Sequence, residues 1–158
     1  MYKTIADMCA HLQNCTLRRL TVVSVPQTKY NLALAKQLCR QGFITNVQQG
    51  SHEGPDELNL PNSSEDVKNR RIWIQMKYRE NEPVIHSISP TSTKNKRISL
   101  KWPEVQKICT GSSVSQKKGI VRPLTMGECL FIKTDLGIME AREAIQQRKG
   151  GLCICRVK

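Results

Sequence analysis

The sequence predicts an α+β fold of two small domains. Residues 1–79 form a helix-strand-helix-strand-strand unit, and residues 80–158 a β-rich unit with short helices. Three observations carry this. Apolar residues recur at helical spacing in two early stretches, and short β-branched or alternating runs bounded by Pro and Gly follow in both halves. Charge also steps along the chain, from net +4 over residues 1–77 to net +8 over residues 78–158. With 158 residues and 39% hydrophobic content, the chain can bury a core.

The elements follow in order. In "TIADMCAHLQN", residues 4–14, Ile5, Met8, Cys9 and Leu12 make one helical stripe, with Thr4 and Asp7 spaced as a capping pair. His11 and Asn14 fall off that stripe. "LTVVSV", residues 20–25, is a β-branched strand stopped by Pro26. "TKYNLALAKQLCRQGF" is a second helix, with Leu32, Ala35, Leu38 and Cys39 facing inward and Gly42 at its end. Phe43 to Val47 is a short strand. "RIWIQMKYR" alternates, placing Ile72, Ile74, Met76 and Tyr78 on one side. Between them, residues 48–69 read as an inserted surface loop, far longer than a hairpin connection. The second half begins with strands "VIHSIS" and "RISL", joined by a turn, and Pro103 opens a short helix. Residues 110–121 then read as a second inserted loop, flexible and basic. The strand, turn, helix and final strand of "CLFIKTDLGIMEAREAIQQRKGGLCICRV" close the chain.

Charge narrows the function. There are 25 Lys and Arg against 13 Asp and Glu, net +12, with a pI near 9.6. Such an excess favours a polyanion, through release of counterions from phosphates. Aromatics are only 4%, too few for a stacking platform for unpaired bases, so folded RNA is the favoured partner. No apolar run reaches the roughly 20 residues that span a bilayer. The seven cysteines lack a C-x-x-C pair, which argues against zinc. Their odd number, without a secretory signal, suggests reduced thiols that serve as small core residues. In a regular strand Cys153 and Cys155 share one face. His11, His52 and His86 sit in different elements with no nucleophile motif or phosphate-binding glycine loop, so no catalytic site assembles.

Two turns stand out. Lys133, Thr134 and Asp135 precede Leu136-Gly137 at the mouth of an apolar strand. Ser92, Thr93, Lys94, Lys96 and Arg97 crowd the turn "TSTKNKR". Asp and Gly are ordinary turn formers. Hydroxyls beside cations also suit contacts with phosphates and 2′-hydroxyls.

Five segments, in order, resemble the bacterial-type family of ribosomal protein eight of the small subunit. They are "IADM", "VPQTKYNLALAKQLCRQGFI", "IHSISPTSTKNKR", "KTDLGIMEAREA" and "GGLCICRV". Together they span nearly the whole chain apart from the two insertions. The resemblance implies a non-enzymatic, two-domain protein, with neither cofactor nor metal, that organises a helical region in the central domain of small-subunit rRNA. It implies main RNA contacts at Lys133, Thr134 and Asp135. Ser92, Lys94, Lys96 and Arg97 fit the family's middle turn, Asn14 its first helix, where His11 and Gln13 replace Arg, and Lys29 the start of its second segment. The family's Lys before Gly is Leu136 here, which moves the cation to Lys133. Asp135 facing phosphate is unfavourable unless it caps a turn or accepts from a sugar hydroxyl or base amine. These departures, the cysteines and the insertions point to a divergent mitochondrial form of fungal type, imported through an uncleaved basic amphipathic N-terminus. The implied partners are small-subunit rRNA and neighbouring small-subunit proteins, with no membrane and no small-molecule substrate. The alternative is a free RNA-binding translational regulator.

Overall fold

The computed structural model describes residues 1–55, 69–116 and 119–158, apart from the side chain of Tyr2. Most of the first insertion, residues 56–68, therefore lies outside the described residues, as do Lys117 and Lys118 of the second. The chain divides into two compact units, Met1–Ala10 with His86–Lys158, and His11–Ile85. The mixed α+β class, with an N-terminal helix-strand-helix-strand-strand order and a β-rich remainder, is as the sequence predicts.

Helix α1 spans Tyr2–Leu17. It starts earlier than the capping pair predicts: Ile5 N–H donates to Met1 O at 3.1 Å, closing a turn before Thr4 can cap one. The Thr4 hydroxyl instead donates back to Met1 O at 2.9 Å. Strand β1 (Val22–Pro26) leads into helix α2 (Lys29–Arg40), whose cap is Thr28, accepting from Asn31 N–H at 3.1 Å. The buried face of α2 is Asn31, Leu34, Ala35 and Leu38, while Leu32 and Cys39 are only half-buried. The shift follows from Asn31, whose side-chain N–H donates to Pro26 O at 3.0 Å and draws its own face inward. Gly42, at φ +79°, closes α2 in a Schellman motif, with Phe43 N–H on Leu38 O and Gly42 N–H on Cys39 O, each 3.0 Å.

Strands β2 (Ile44–Gly50) and β3 (Arg71–Met76) complete an antiparallel sheet in the order β1-β3-β2. Ile72, Ile74 and Met76 are buried, as their alternation predicts. Tyr78 belongs to a separate short hairpin, β4 (Tyr78–Arg79) with β5 (Glu82–Pro83), and is half-buried; its hydroxyl donates to Leu20 O at 2.6 Å.

In the other unit come β6 (Ile88–Pro90), β7 (Ser99–Leu100), helix α3 (Trp102–Cys109), β8 (Val114–Gln116), β9 (Gly119–Val121), β10 (Cys129–Thr134), β11 (Gly137–Glu140), helix α4 (Ala141–Gln146) and β12 (Gly151–Val157). The sheet order is β11-β10-β12-β6, and β7 also pairs with β12. The second insertion is a hairpin, β8 with β9, rather than the loop expected from its composition. Gln116 fastens it to the sheet, donating to Ser99 O at 2.7 Å.

A β-bulge in β12 reverses another expectation. Ile132 pairs with Cys153 but Phe131 with Cys155, leaving Ile154 extra. The added residue turns Cys153 and Cys155 to opposite faces. Cys153 joins Ile98, Leu100, Val105, Ile108, Leu130, Ile132 and Ala141 in the core under α3 and α4. Cys155 shares a hydrogen bond with Cys9 of α1. The sheet is thus covered on both faces, on the second by the first turns of α1, where Ile5, Met8 and Cys9 are buried.

Candidate nucleic-acid interface

Strands β10 and β11 form a hairpin closed by Thr134 paired with Gly137, leaving Asp135 and Leu136 at the tip. Gly137 sits at φ +130°, outside the range of most side chains. The Thr134 hydroxyl donates to Gly137 O at 3.1 Å and accepts from Leu136 N–H at 3.2 Å. Its donor is therefore committed to the turn, and one acceptor lone pair remains. Asp135 is exposed and accepts from Lys149 Nζ at 2.6 Å. That hydrogen bond holds its carboxyl below the ordinary carboxylate range. Lys133 Nζ donates to the Met1 thioether sulfur at 3.4 Å.

Lys149 reaches Asp135 because α4 ends in another Schellman motif. Arg148 takes φ +52°, with its N–H on Ile145 O at 2.9 Å and Lys149 N–H on Ala144 O at 2.8 Å. Two glycines then bring β12 against its neighbours. A Cβ on Gly151 would lie 2.1 Å from Lys133 O, and one on Gly150 would lie 2.5 Å from Leu100 O.

The second turn is an excursion from the sheet edge between β6 and β7. Ser92 is 4% exposed and clasps its base. The Ser92 hydroxyl accepts from Ile98 N–H at 3.0 Å and donates to Ile98 O at 3.3 Å. At the tip, Thr93 N–H donates to Lys96 O at 2.9 Å, and Lys96 N–H to Thr93 Oγ1 at 3.2 Å. Lys94, Lys96 and Arg97 are exposed on this frame. The Lys96 ammonium lies over Gly119 of the β8–β9 hairpin, 2.9 Å from where a Cβ would stand. Between loop and hairpin runs a groove lined by Ser89, Thr91, Lys96, Ile120, Arg122 and Arg156. Arg156 is occupied internally, donating to Arg122 O at 2.6 Å and facing Glu128 at 3.8 Å.

Both turns belong to one sheet. Lys133 and Ser99 flank Leu152 from opposite sides, so about 10 Å separates their strands at two sheet spacings. His11, Asn14 and Lys29 belong to the other unit. His11 is exposed, its Nε2 3.8 Å from Cys15 Sγ. Asn14 is exposed and its carbonyl accepts from Arg18 N–H at 3.1 Å. Lys29 is exposed at the first residue of α2.

Sequence reasoning missed Lys149 and Arg122. Lys149 is legible only once β12 is paired antiparallel to β10, which returns the residues before Gly151 to the β10 turn. Arg122 follows the second insertion directly, and only the folding of the β8–β9 hairpin brings it to the groove.

A family model described as ribosomal protein S8 matches residues 3–157. The chain belongs to the ribosomal protein S8 family. Small ribosomal subunit protein uS8m of Neurospora crassa is 39% identical over 160 residues, covering 98% of this chain and 97% of that protein. The protein of the same name in Schizosaccharomyces pombe is 36% identical over 149 residues, covering 94% and 95%. Small ribosomal subunit protein uS8 of Roseiflexus castenholzii is 31% identical over 156 residues, covering 97% and 95%.

The S8 family is not enzymatic. Burial pushes Cys153 up to about 12 and also raises Cys109 and Cys129. The Cys9 hydrogen bond, then burial, raise Cys155 well above the ordinary thiol value. A protonated thiol is neither a nucleophile nor a metal ligand. Among the described residues no three His, Cys, Asp or Glu gather as a metal site, and no helix is long and apolar enough to cross a membrane.

Proposed function

We propose that this S8-family chain is a structural, RNA-binding component of the small subunit of the mitochondrial ribosome, holding a helical region of the rRNA central domain in shape. The supporting observation is the excursion that presents Lys94, Lys96 and Arg97 outward on a base clasped by buried Ser92. Cations on a rigid frame meet phosphates without first losing loop entropy. The mitochondrial assignment, with action in the matrix, is supported by the two fungal uS8m relatives.

Within this reading the residues divide their work. Lys94, Lys96, Arg97 and Lys133 meet phosphates. Thr134 and Ser92 hold the two turns, and the remaining lone pair of Thr134 accepts from a ribose 2′-hydroxyl. Asp135, already bound to Lys149, serves as a turn carboxylate rather than as a lone charge facing RNA. His11, Asn14 and Lys29 add contacts from the other unit. Neighbouring small-subunit proteins complete the surroundings.

The test is a salt titration with the matching rRNA fragment. For about six neutralised phosphates, log affinity falls against log salt with a slope of about −4 to −5. Lys133→Glu is expected to weaken binding with unchanged circular dichroism. A slope near zero, or unchanged affinity in Lys133→Glu, counts against this reading.

A further inference from the structure

The groove between the excursion and the β8–β9 hairpin has a floor, two walls and one sign of charge. Its floor is the sheet. Register sets Ser89 beside Arg156, and Thr91 follows two residues on, its N–H still bonded to Ile154 O at 2.8 Å. Lys96 of the excursion makes one wall, its side chain lying across Gly119 of the hairpin. Ile120 and Arg122 make the other. Arg156 anchors that second wall. Its guanidinium donates to Arg122 O at 2.6 Å and to Pro123 O at 3.4 Å, so the backbone that carries the Arg122 side chain is tied to the sheet.

The groove offers donors without acceptors to match them. Among the described residues, the Lys96 ammonium, the Arg122 guanidinium and the hydroxyls of Ser89 and Thr91 have no partner. No carboxylate lines the groove, and Glu128 faces Arg156 at 3.8 Å. Lys96 and Arg122 therefore remain as unmatched cations on opposite walls. Like charges held across a groove repel, and an anion between them turns that repulsion into attraction. Three features choose among anions. No aromatic ring lines the groove, so bases cannot stack in it. Ile120, 68% exposed, offers an apolar edge to a ribose, while Ser89 and Thr91 can both donate to and accept from a 2′-hydroxyl. The volume is about 200 Å³, below the roughly 300–1,000 Å³ of sites for whole small molecules, which suits a sugar-phosphate unit of one strand and not a duplex.

We propose that this groove takes the sugar-phosphate backbone of a single RNA strand, with one phosphate between Lys96 and Arg122. The proposal rests on the RNA-binding reading above and gives the second insertion a task within it. The β8–β9 hairpin adds a holder for an unpaired strand beside the surface that meets an rRNA helix.

The test uses the full chain and fluorescence anisotropy with two labelled probes, the rRNA helix fragment closed as a hairpin and a short oligouridylate. Arg122→Glu is expected to weaken the oligouridylate about tenfold and the helix fragment less than about threefold, and Lys133→Glu is expected to do the reverse. Arg122 is exposed and only its backbone carbonyl is bonded within the fold, so circular dichroism is expected to be unchanged. As a milder second variant, Arg122→Gln is expected to lower the salt slope for the oligouridylate by about 0.7, the single-strand value for one phosphate. If the helix fragment binds but the oligouridylate does not, or if changes at Arg122 affect both probes equally or neither, the groove is not a strand site and the RNA reading stands. If neither RNA binds, that reading fails and this one with it. Two competitors complete the test. A short polyglutamate that binds as tightly and is weakened by Arg122→Glu would make the occupant an acidic peptide. Displacement of the oligouridylate by inorganic phosphate at constant ionic strength would make it a free anion. Either result overturns the proposal.

Discussion

The Ser92–Ile98 excursion and the Thr134–Gly137 turn use one chemical device, a buried hydroxyl that both donates and accepts within the backbone it closes. They differ in what they present. The excursion carries Lys94, Lys96 and Arg97 outward. The hairpin tip carries an Asp135 already matched by Lys149, and an exposed Leu136. A stiff frame is common to both, whereas surplus charge is concentrated on one. The difference teaches that a hydroxyl next to a cation in sequence can mark the holder of a contact as easily as the contact itself.

The largest effect that separates the two is expected at Gly151. Gly151→Ala forces a Cβ into the Lys133 backbone and is expected to cost about 2–3 kcal/mol, the scale of overpacking. Thermal denaturation reads this, and a change under about 0.5 kcal/mol, the scale of a neutral surface substitution, would show that the strands can part without cost. Next comes Ser92→Ala, at about 1–3 kcal/mol. Ile98 O keeps its bond from Cys153 N–H, but Ile98 N–H is left buried without a partner. Thr134→Val is expected to cost less, about 0.5–1.5 kcal/mol, because water can reach the exposed tip. Urea denaturation of the two variants tests this order, and equal costs would erase the contrast.

Arg148 sharpens the charge side of the comparison. It occupies a left-handed position at which glycine is the default, so Arg148→Gly is expected to stabilise the fold by about 0.5–1 kcal/mol. If Arg148 is retained for RNA, the same variant is expected to lower the salt slope of binding by about 1. Parallel denaturation and salt titration measure both, and an unchanged slope would assign Arg148 no phosphate.

The smallest effect is a titration. The lowered carboxyl of Asp135 favours the charged form in the fold, so its contribution is present above the ordinary carboxylate range and lost as pH falls through the lower folded value. Carboxyl NMR of Asp135 is expected to move towards the ordinary value in Lys149→Ala. No movement would mean that Lys149 is not the cause.

Much of this was legible in the sequence. The order of helices and strands follows from apolar period and from Pro and Gly punctuation, and both turns were picked out by composition. What escaped has particular causes. Cys153 and Cys155 were placed on one face because period-two alternation assumes an unbroken ladder, and the extra Ile154 is a property of pairing with β10. The face of α2 was displaced because Asn31 is buried through a bond to Pro26 O, which apolar counting overlooks. The β8–β9 hairpin was read as a loop because its strands, Val-Ser-Gln and Gly-Ile-Val, are three residues each and too short to show an alternation. Thr134 and Ser92 looked like free hydroxyls because their acceptors, Gly137 O and Ile98 O, are backbone atoms that no side-chain pattern announces.

The hydrogen bond between the free thiols of Cys9 and Cys155 joins residues separated by nearly the whole chain, while His11–Ile85 gathers residues that are contiguous in sequence. During synthesis the intervening unit can therefore fold early, whereas the sheet built on β12 cannot seal its second face until that last strand has emerged. Loop closure over such separations is slow, so Ile5, Met8 and Cys9 of α1 stay uncovered until β12 has been made. A factor that shields nascent apolar helices would find its longest-lived target in this chain there.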